Sequence, residues 1–326
     1  MNKWLLDNLV CPRDKTALEM SENHLTCSSG HTYRIFDDIP VMLVDDVEET
    51  HGYISRTLEK ISANGSSEPT SDFPLSPDHI DEWVQGEIPY TSGNLYFSVQ
   101  HKLKRYPIPD TRLRPGKGER LLDIGCNWGR WSIAAAQKGY KPIGIDPSLD
   151  AVLAARRVSK QLGVETDFVV GDARFLPFAN DAFDAVFSYG VFQHFSKENT
   201  RVSLDEASRV LKKNGYLLVQ MPNKYGIRQY QQHRRRGFTE GEGFEVRYWT
   251  PTELMETFEK KFGPTKMTTD CYFGLGIQAS DADLLPLHYK MIVNSSELLR
   301  RISNIFTPLT KVADSVYLES VNQNKS

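Results

Sequence analysis

Three observations predict an α/β protein built on a doubly wound parallel sheet. Short β-rich runs alternate with helical ones from about residue 119 to 221. The first run, Leu121-Leu122-Asp123-Ile124, meets a glycine turn, Gly125-Cys126-Asn127-Trp128-Gly129, and an Ala-rich helical pattern follows at once. An acid stands at or just past the end of each of the first three runs: Asp123, Asp146 and Asp172. In such sheets the ligand sits beyond the carboxyl ends of the strands.

The pattern predicts strand 119–124, helix 129–138, strand 141–145, helix 148–162 and strand 166–170. Strand 183–188 and helix 197–213 follow, and Asn214-Gly215 turns into strand 216–221, stopped by Pro222. Regularity then breaks for about thirty residues around Arg234-Arg235-Arg236. Thr250-Pro251-Thr252-Glu253 starts a helix with an N-cap, a proline in the first turn and a capping-box acid, and Gly263-Pro264 ends it. Strand 265–272, a mainly helical insertion over 275–313 and a last strand near 315–321 complete the chain. The last strand is expected to pair beside 265–272, with the insertion capping the ligand edge.

Upstream, residues 1–46 read as a small unit of short alternating segments. Residues 47–80 read as a linker with one helix near Tyr53–Ile61, and 81–326 as the main domain. The stretch Ser62–Ser71 has turn and disorder composition. Residues 81–114 are rich in aromatics (Trp83, Tyr90, Tyr96, Phe97, Tyr106), and a helix is expected over Gly93–Lys104, lying over the ligand or filling a core edge.

The 326 residues are 40% apolar and 25% charged, enough for a sizeable core. A net charge of −3 argues against a nucleic acid partner, though a local basic patch is compatible with one. No run suits a membrane span, the opening Met1–Asp7 lacks a signal-type apolar core, and the four cysteines are scattered. A reduced, cytoplasmic protein is expected.

The site chemistry narrows the ligand. Asn127 and Arg130 stand where a G-x-G-x-x-G dinucleotide loop would need its second and third glycines, and no P-loop is present. Carboxylates occupy positions where phosphates would need N–H donors and cations. A ligand with a cationic centre, a diol and an uncharged base fits better, and S-adenosylmethionine has that make-up.

On these residues, 119–221 resembles the class I S-adenosylmethionine-dependent methyltransferases of the small-molecule branch, whose first motif matches Leu122–Gly129. The resemblance implies a seven-stranded, Rossmann-like sheet with S-adenosylmethionine as cofactor. It places the Gly125, Cys126, Asn127 and Gly129 backbone against the methionine part and Asp123 at the strand end. It also puts Asp146 on the ribose hydroxyls, Asp172 and Ala173 on the adenine, and Ser188 near the transferred methyl. His194 is the candidate catalytic base, with a structural histidine between Phe192 and Phe195 as the alternative and Tyr189 as a second candidate. Arg228, Arg234, Arg235, Arg236 and Arg247 are candidates to grip an anionic group on the acceptor, or a solvated surface. The absence of an N-P-P-Y-type run tilts against nitrogen on a nucleobase.

The expected function is methyl transfer to a small molecule, on a hydroxyl, with an anionic glycan- or lipid-like intermediate as acceptor. RNA methylation and a non-catalytic S-adenosylmethionine-binding module are the alternatives. Residues 1–46 resemble the zinc-ribbon activator subunit of tRNA methyltransferases, through Leu9–Pro12, Leu25, Cys27 and Asp38–Leu43. Its metal positions fall at Cys11, Asp14, Cys27 and His31, a donor set zinc accepts. Asp14 departs from the family's cysteine. A metal-less ribbon packed on the main domain is preferred, so no metal ligand is assigned.

Overall fold

A computed structural model describes residues 1–49, 52–63, 79–274 and 276–324. Of the stretch Ser62–Ser71 expected to be disordered, Ser62 and Ala63 instead close a helix, Tyr53–Ala63, and the rest lies outside the described residues. The chain opens with helix α1 (Lys3–Asn8) and four short strands: β1 (Leu18–Ser21), β2 (His24–Cys27), β3 (Thr32–Phe36) and β4 (Ile39–Met42). Helices α2 (Tyr53–Ala63) and α3 (Glu82–Thr91) follow. The alternating part then runs β5 (Arg120–Ile124), α4 (Arg130–Gln137), β6 (Lys141–Asp146), α5 (Leu149–Gln161) and β7 (Asp167–Gly171). Next come β8 (Phe183–Ser188), α6 (Lys197–Val210), β9 (Leu211–Pro222) and α7 (Ile227–Arg235). The chain closes with α8 (Pro251–Phe262), β10 (Thr265–Cys271), α9 (Leu287–Ile305) and β11 (Ser315–Val321).

Seven of these strands lie in the order β7-β6-β5-β8-β9-β11-β10. From β5 the chain winds outward through β6 and β7, then returns to the other side of β5 as β8. That reversal is the switch point where an open α/β sheet leaves a crevice. β11 runs antiparallel between β9 and β10, and Val316 faces Thr269 as expected.

Alternate residues of each strand serve opposite faces. Leu121, Ala185, Phe187 and Leu218 pack with Trp131 and Ala135 of α4, while Leu122, Val186 and Leu217 pack on the face of α6 and α8. Both faces are covered, so the strands read as continuous apolar runs.

The expected seven-stranded sheet is a sheet of eleven strands. The reason is an open edge. β7 pairs with β6 on one side only, and β4 adds to its other side in parallel, with Val41 facing Val170 and Met42 facing Gly171. The meander β1–β4 then continues the sheet. Leu5, Leu9, Cys11 and Tyr33 also share one apolar cluster with Phe178 and Phe183, so the N-terminal unit shares the core of the main sheet.

Local departures have local causes. The helix expected over 93–104 is a short 3-10 turn, Asn94–Val99, because Gly93 offers no side-chain cap and His101 takes φ +59°. The helix expected to 213 ends at Val210, where Leu211 enters β9. α3 and α7 were not expected; α3 starts on an Asp81 cap and carries Pro89 inside.

The segment after β10 is tied to the glycine turn by a buried ion pair. Arg130, first residue of α4, meets Asp281 at 2.9 Å, and both side chains are almost fully buried. A cation at a helix N-terminus opposes the helix dipole, and Asp281 offsets it. Removing one partner strands the other charge, so Asp281→Ala should lower stability by about 3 kcal/mol or more. Urea melts of the two proteins check this. An Arg130→Met/Asp281→Leu double variant should recover most of the loss.

Candidate active site

The turn after β5 is built by backbone geometry. Gly125 and Gly129 take φ +74° and +82°, and Asn127, between them, takes φ +46°. Glycine suits the left-handed region, and asparagine is among the few other residues that tolerate it. At Gly125 a Cβ would lie 2.2 Å from the Val191 side chain, so the turn is also closed sterically. At Gly129 a Cβ would meet that of Ala155 at 3.0 Å. Asn127 accepts from Trp128 N–H at 2.8 Å with its own side chain, while Trp128 fills the core behind the turn. The Cys126 thiol also points into the core, leaving its backbone to the turn; burial raises its pKa well above that of an ordinary thiol.

Asp123 closes β5 and accepts from the Ser132 hydroxyl of α4 at 2.7 Å. Burial pushes its pKa up to about 7, the Ser132 bond opposes the shift and the nearby Asp146 adds to it. Asp146 closes β6. One oxygen accepts from Asn127 N–H and the other from Ser148 N–H, each at 3.0 Å. Burial raises its pKa to about 6, against those two bonds. Each oxygen keeps acceptor capacity beyond its one backbone donor.

A cleft of about 230 Å³ opens at this point, lined by Asn127, Ser148 and Leu149 on the sheet side and by Tyr53, Trp83 and Glu87 of α2 and α3 on the other. Burial and the Asp146 charge both raise the pKa of Tyr53 above that of an ordinary phenol. Thr57 anchors α2 over α5, donating to Pro147 O at 2.9 Å and accepting from Leu149 N–H at 3.2 Å. Of the aromatics noted in the sequence, Trp83 reaches the cleft, whereas Tyr96 and Tyr106 fill the core around Trp128. The sequence carried no signal for Glu87 or Tyr53.

Asp172 follows β7 and is buried, but its carboxylate is engaged. Arg174 contacts it through Nε at 3.0 Å, Nη2 at 2.6 Å and backbone N–H at 2.8 Å. Ala173 is buried beside it. Arg174 was missed in the sequence; the Asp-x-Arg spacing was its only signal. Ser188, at the end of β8, donates to Ile124 O at 3.1 Å and straps β8 to β5 just before the glycine turn.

Beyond Ser188 the chain crosses the turn, with Val191 packed against Gly125. His194 lies three residues further on and is half-buried. Its Nδ1 is 2.7 Å from Phe244 O, its Nε2 is 3.0 Å from the Gln193 amide, and its ring stacks on Phe244 at 3.9 Å. A carbonyl accepts only, so Nδ1 carries the proton and Nε2 the lone pair. Tyr189 instead donates to the buried Asp270 at 2.9 Å, and burial raises it well above an ordinary phenol.

The arginines divide. Arg247 is buried and donates to the carbonyls of His194, Gly243 and Glu245, and Arg236 holds Glu245 and Val246 O. These two brace the 236–247 loop, a role that neither alternative read from the sequence, an acceptor grip or a solvated surface, had given them. Arg234 and Arg235 are exposed on the last turn of α7.

In the N-terminal unit, Cys11, Asp14, Cys27 and His31 bring one ligand atom each within 4.8 Å of one another. The His31 Nδ1 lies 3.4 Å from both sulfurs and 3.4 Å from an Asp14 oxygen, and the Cys27 sulfur lies 3.7 Å from that oxygen. Zinc bonds of about 2.0–2.3 Å put tetrahedral ligand atoms about 3.3–3.8 Å apart. Four of the six edges of the cluster therefore fit zinc.

Residues 121–215 match the family described as a methyltransferase domain. The match runs from β5 to the start of β9. The chain is 33% identical over 127 residues to a ubiquinone biosynthesis O-methyltransferase of Azorhizobium caulinodans, covering 39% of this chain and 49% of the relative. It is 35% identical over 103 residues to a demethylmenaquinone methyltransferase of Renibacterium salmoninarum, covering 31% and 40%. The matched part is thus less than half the length of either relative. A solved S-adenosylmethionine-dependent methyltransferase from Methanosarcina mazei aligns with a TM-score of 0.42 and 22% identity over 52% of this chain and 91% of its own.

Proposed function

We propose that this protein transfers a methyl group from S-adenosylmethionine to a hydroxyl of a small, anionic, lipid- or glycan-like molecule. The observation that carries the reading is Asp146: a buried carboxylate at the end of β6, held by two backbone N–H groups and set beside an open cleft. A carboxylate with spare acceptor capacity suits a ribose diol. The O-methyltransferase of ubiquinone biosynthesis among the relatives supports an oxygen acceptor.

When bound, the cofactor supplies a methyl group already activated by its sulfonium. The chain's own work is alignment and proton removal. Asp146 fixes the ribose and the Gly125–Gly129 backbone lies along the methionine part. Asp123 braces the turn through Ser132. Asp172 and Ala173 edge the adenine, with Arg174 holding the carboxylate in place. Ser188 and Val191 position the acceptor loop. His194 takes the acceptor's proton at Nε2 once Gln193 yields that atom. The N-terminal unit is a ribbon of the activator type, and Cys11, Asp14, Cys27 and His31 would hold a structural zinc in it.

His194→Ala should leave cofactor affinity nearly intact and lower turnover by about 10²–10⁴-fold. Release of S-adenosylhomocysteine from a panel of hydroxyl-bearing quinols, lipids and sugar phosphates reads the turnover. Unchanged turnover would take His194 out of the mechanism. No calorimetric binding at millimolar S-adenosylmethionine would sink the whole reading.

A further inference from the structure

α9 has one face that packs and one that none of the described residues covers. Val293, Ser296 and Ser303 face β10, where Ser296 bonds both backbone groups of Tyr272 and Ser303 bonds Thr269. On the opposite face, Leu287, Met291, Leu298, Ile302 and Ile305 recur at helical spacing, and Phe306 follows. Leu287, Leu298 and Ile305 are 74%, 60% and 89% exposed, far beyond the scattered apolar residues of an ordinary surface.

α7 begins beside the two segments that flank α9. Arg228 of its first turn donates to Phe273 O at 3.0 Å, next to the Tyr272 that anchors α9, and Asn223 donates to Lys311 O at 3.0 Å. α7 also exposes Ile227 and Tyr230. The charge here is one-sided. Residues 224–239 hold five basic residues and no acid, and 287–312 hold four basic residues and one acid, in a chain whose net charge is −3; Arg236 is paired with Glu245, and Arg300 and Arg301 share Glu297, so Lys224, Arg234, Arg235, Lys290 and Lys311 carry the excess. Apolar and aromatic residues interleaved with arginine and lysine fit a lipid interface with anionic headgroups. A protein-covered face would not need this concentration of cations. No helix among the described residues is long and apolar enough to cross a membrane, so α9 would lie on the surface.

We infer that the exposed faces of α9 and α7 dock the protein on an anionic lipid bilayer. The occupant is the bilayer surface itself, with Leu298, Ile302 and Ile305 entering the headgroup boundary and Arg234 and Arg235 meeting the lipid phosphates. This surface lies at the end of the sheet where β9 and β10 finish and β11 begins. The inference stands on the surface alone and does not depend on the methyl acceptor.

The test is co-sedimentation of the full chain with vesicles of phosphatidylglycerol and phosphatidylcholine in equal parts, against phosphatidylcholine alone. At least ~10-fold stronger partition into the anionic vesicles is expected, falling steeply with salt. The Leu298→Glu/Ile302→Glu/Ile305→Glu variant should fall to the neutral-vesicle level while its thermal melt stays near that of the parent. Should that variant not fold, Arg234→Glu/Arg235→Glu must weaken partition by several-fold and flatten its salt dependence. Equal partition into both vesicle types, or none, would overturn the inference. So would a concentration-dependent dimer broken by Ile305→Glu, which would give the face to a second copy, or a preference for RNA over vesicles at equal salt.

Discussion

Asp146→Ala should abolish S-adenosylmethionine binding at concentrations that saturate the parent. The Asp146 carboxylate is expected to accept two hydrogen bonds from the ribose. Hydrogen bonds to a charged group contribute about 1.5–3 kcal/mol each. Losing both weakens binding by about 10²–10⁴-fold. The substitution also frees Asn127 N–H, which Asp146 now holds at 3.0 Å, and so loosens the glycine turn itself. Asp146→Asn keeps one acceptor oxygen and should fall between the two. Titration calorimetry checks the order.

The same carboxyl sets a pH dependence with two opposite signs. Burial raises it to about 6 in the folded protein, above an unfolded value near 3.8. The folded state therefore holds this proton more tightly than the unfolded one. The stability it contributes is full below about pH 4 and is lost as pH rises through about 6. Asp123, raised to about 7, extends the same loss to higher pH. Cofactor binding needs the ionised carboxylate and runs the other way, strengthening as pH rises through about 6. Affinity at pH 5 should be about 10-fold below that at pH 7. Asp146→Asn should flatten both profiles. An affinity that is level from pH 5 to 8 in the parent would mean that Asp146 does not touch the ligand.

The sheet was legible because its strands are buried on both faces, so each reads as an apolar run closed by a glycine or an acid. β11 was legible for the same reason, whereas β10, a partly exposed edge strand, was legible from its place after Gly263-Pro264. The attachment of β4 to β7 was not. Ile39–Met42 is four residues long, and nothing in so short a strand names its partner. Acids at strand ends were readable as a set, but not what engages each of them. Arg174 closing on Asp172, and Glu87 facing the cleft from α3, are tertiary facts that adjacent sequence does not encode. Arg247 shows the converse error. A charged residue in a loop reads as a surface group, yet its guanidinium is spent on three carbonyls that shape the loop against His194.

Removing the zinc proposed for the N-terminal unit should partly unfold that unit and weaken the sheet beyond it. Zinc in small domains contributes about 10–16 kcal/mol of folding free energy when nothing else holds the fold. Here Leu5, Leu9 and Tyr33 also pack into the main core, and β4 pairs with β7, so part of the unit survives on apolar contacts. The expected loss is smaller, on the order of 3–5 kcal/mol. It should appear as a separate early step in the thermal melt after chelation, reversed by added zinc. Protein purified without chelator should carry close to one zinc per chain by elemental analysis. Cys27→Ser should lose the metal and reproduce the early step. Asp14→Cys, which restores a thiolate at the one position without a nitrogen or sulfur donor, should hold zinc more tightly. The metal-free ribbon predicts none of this: no retained zinc, no early step and a Cys27→Ser melt like the parent's. Because Val41 and Met42 of β4 lie against Val170 and Gly171, just before Asp172, loss of the metal should also lower cofactor affinity by a few-fold. A cofactor titration with and without chelator reads that coupling directly.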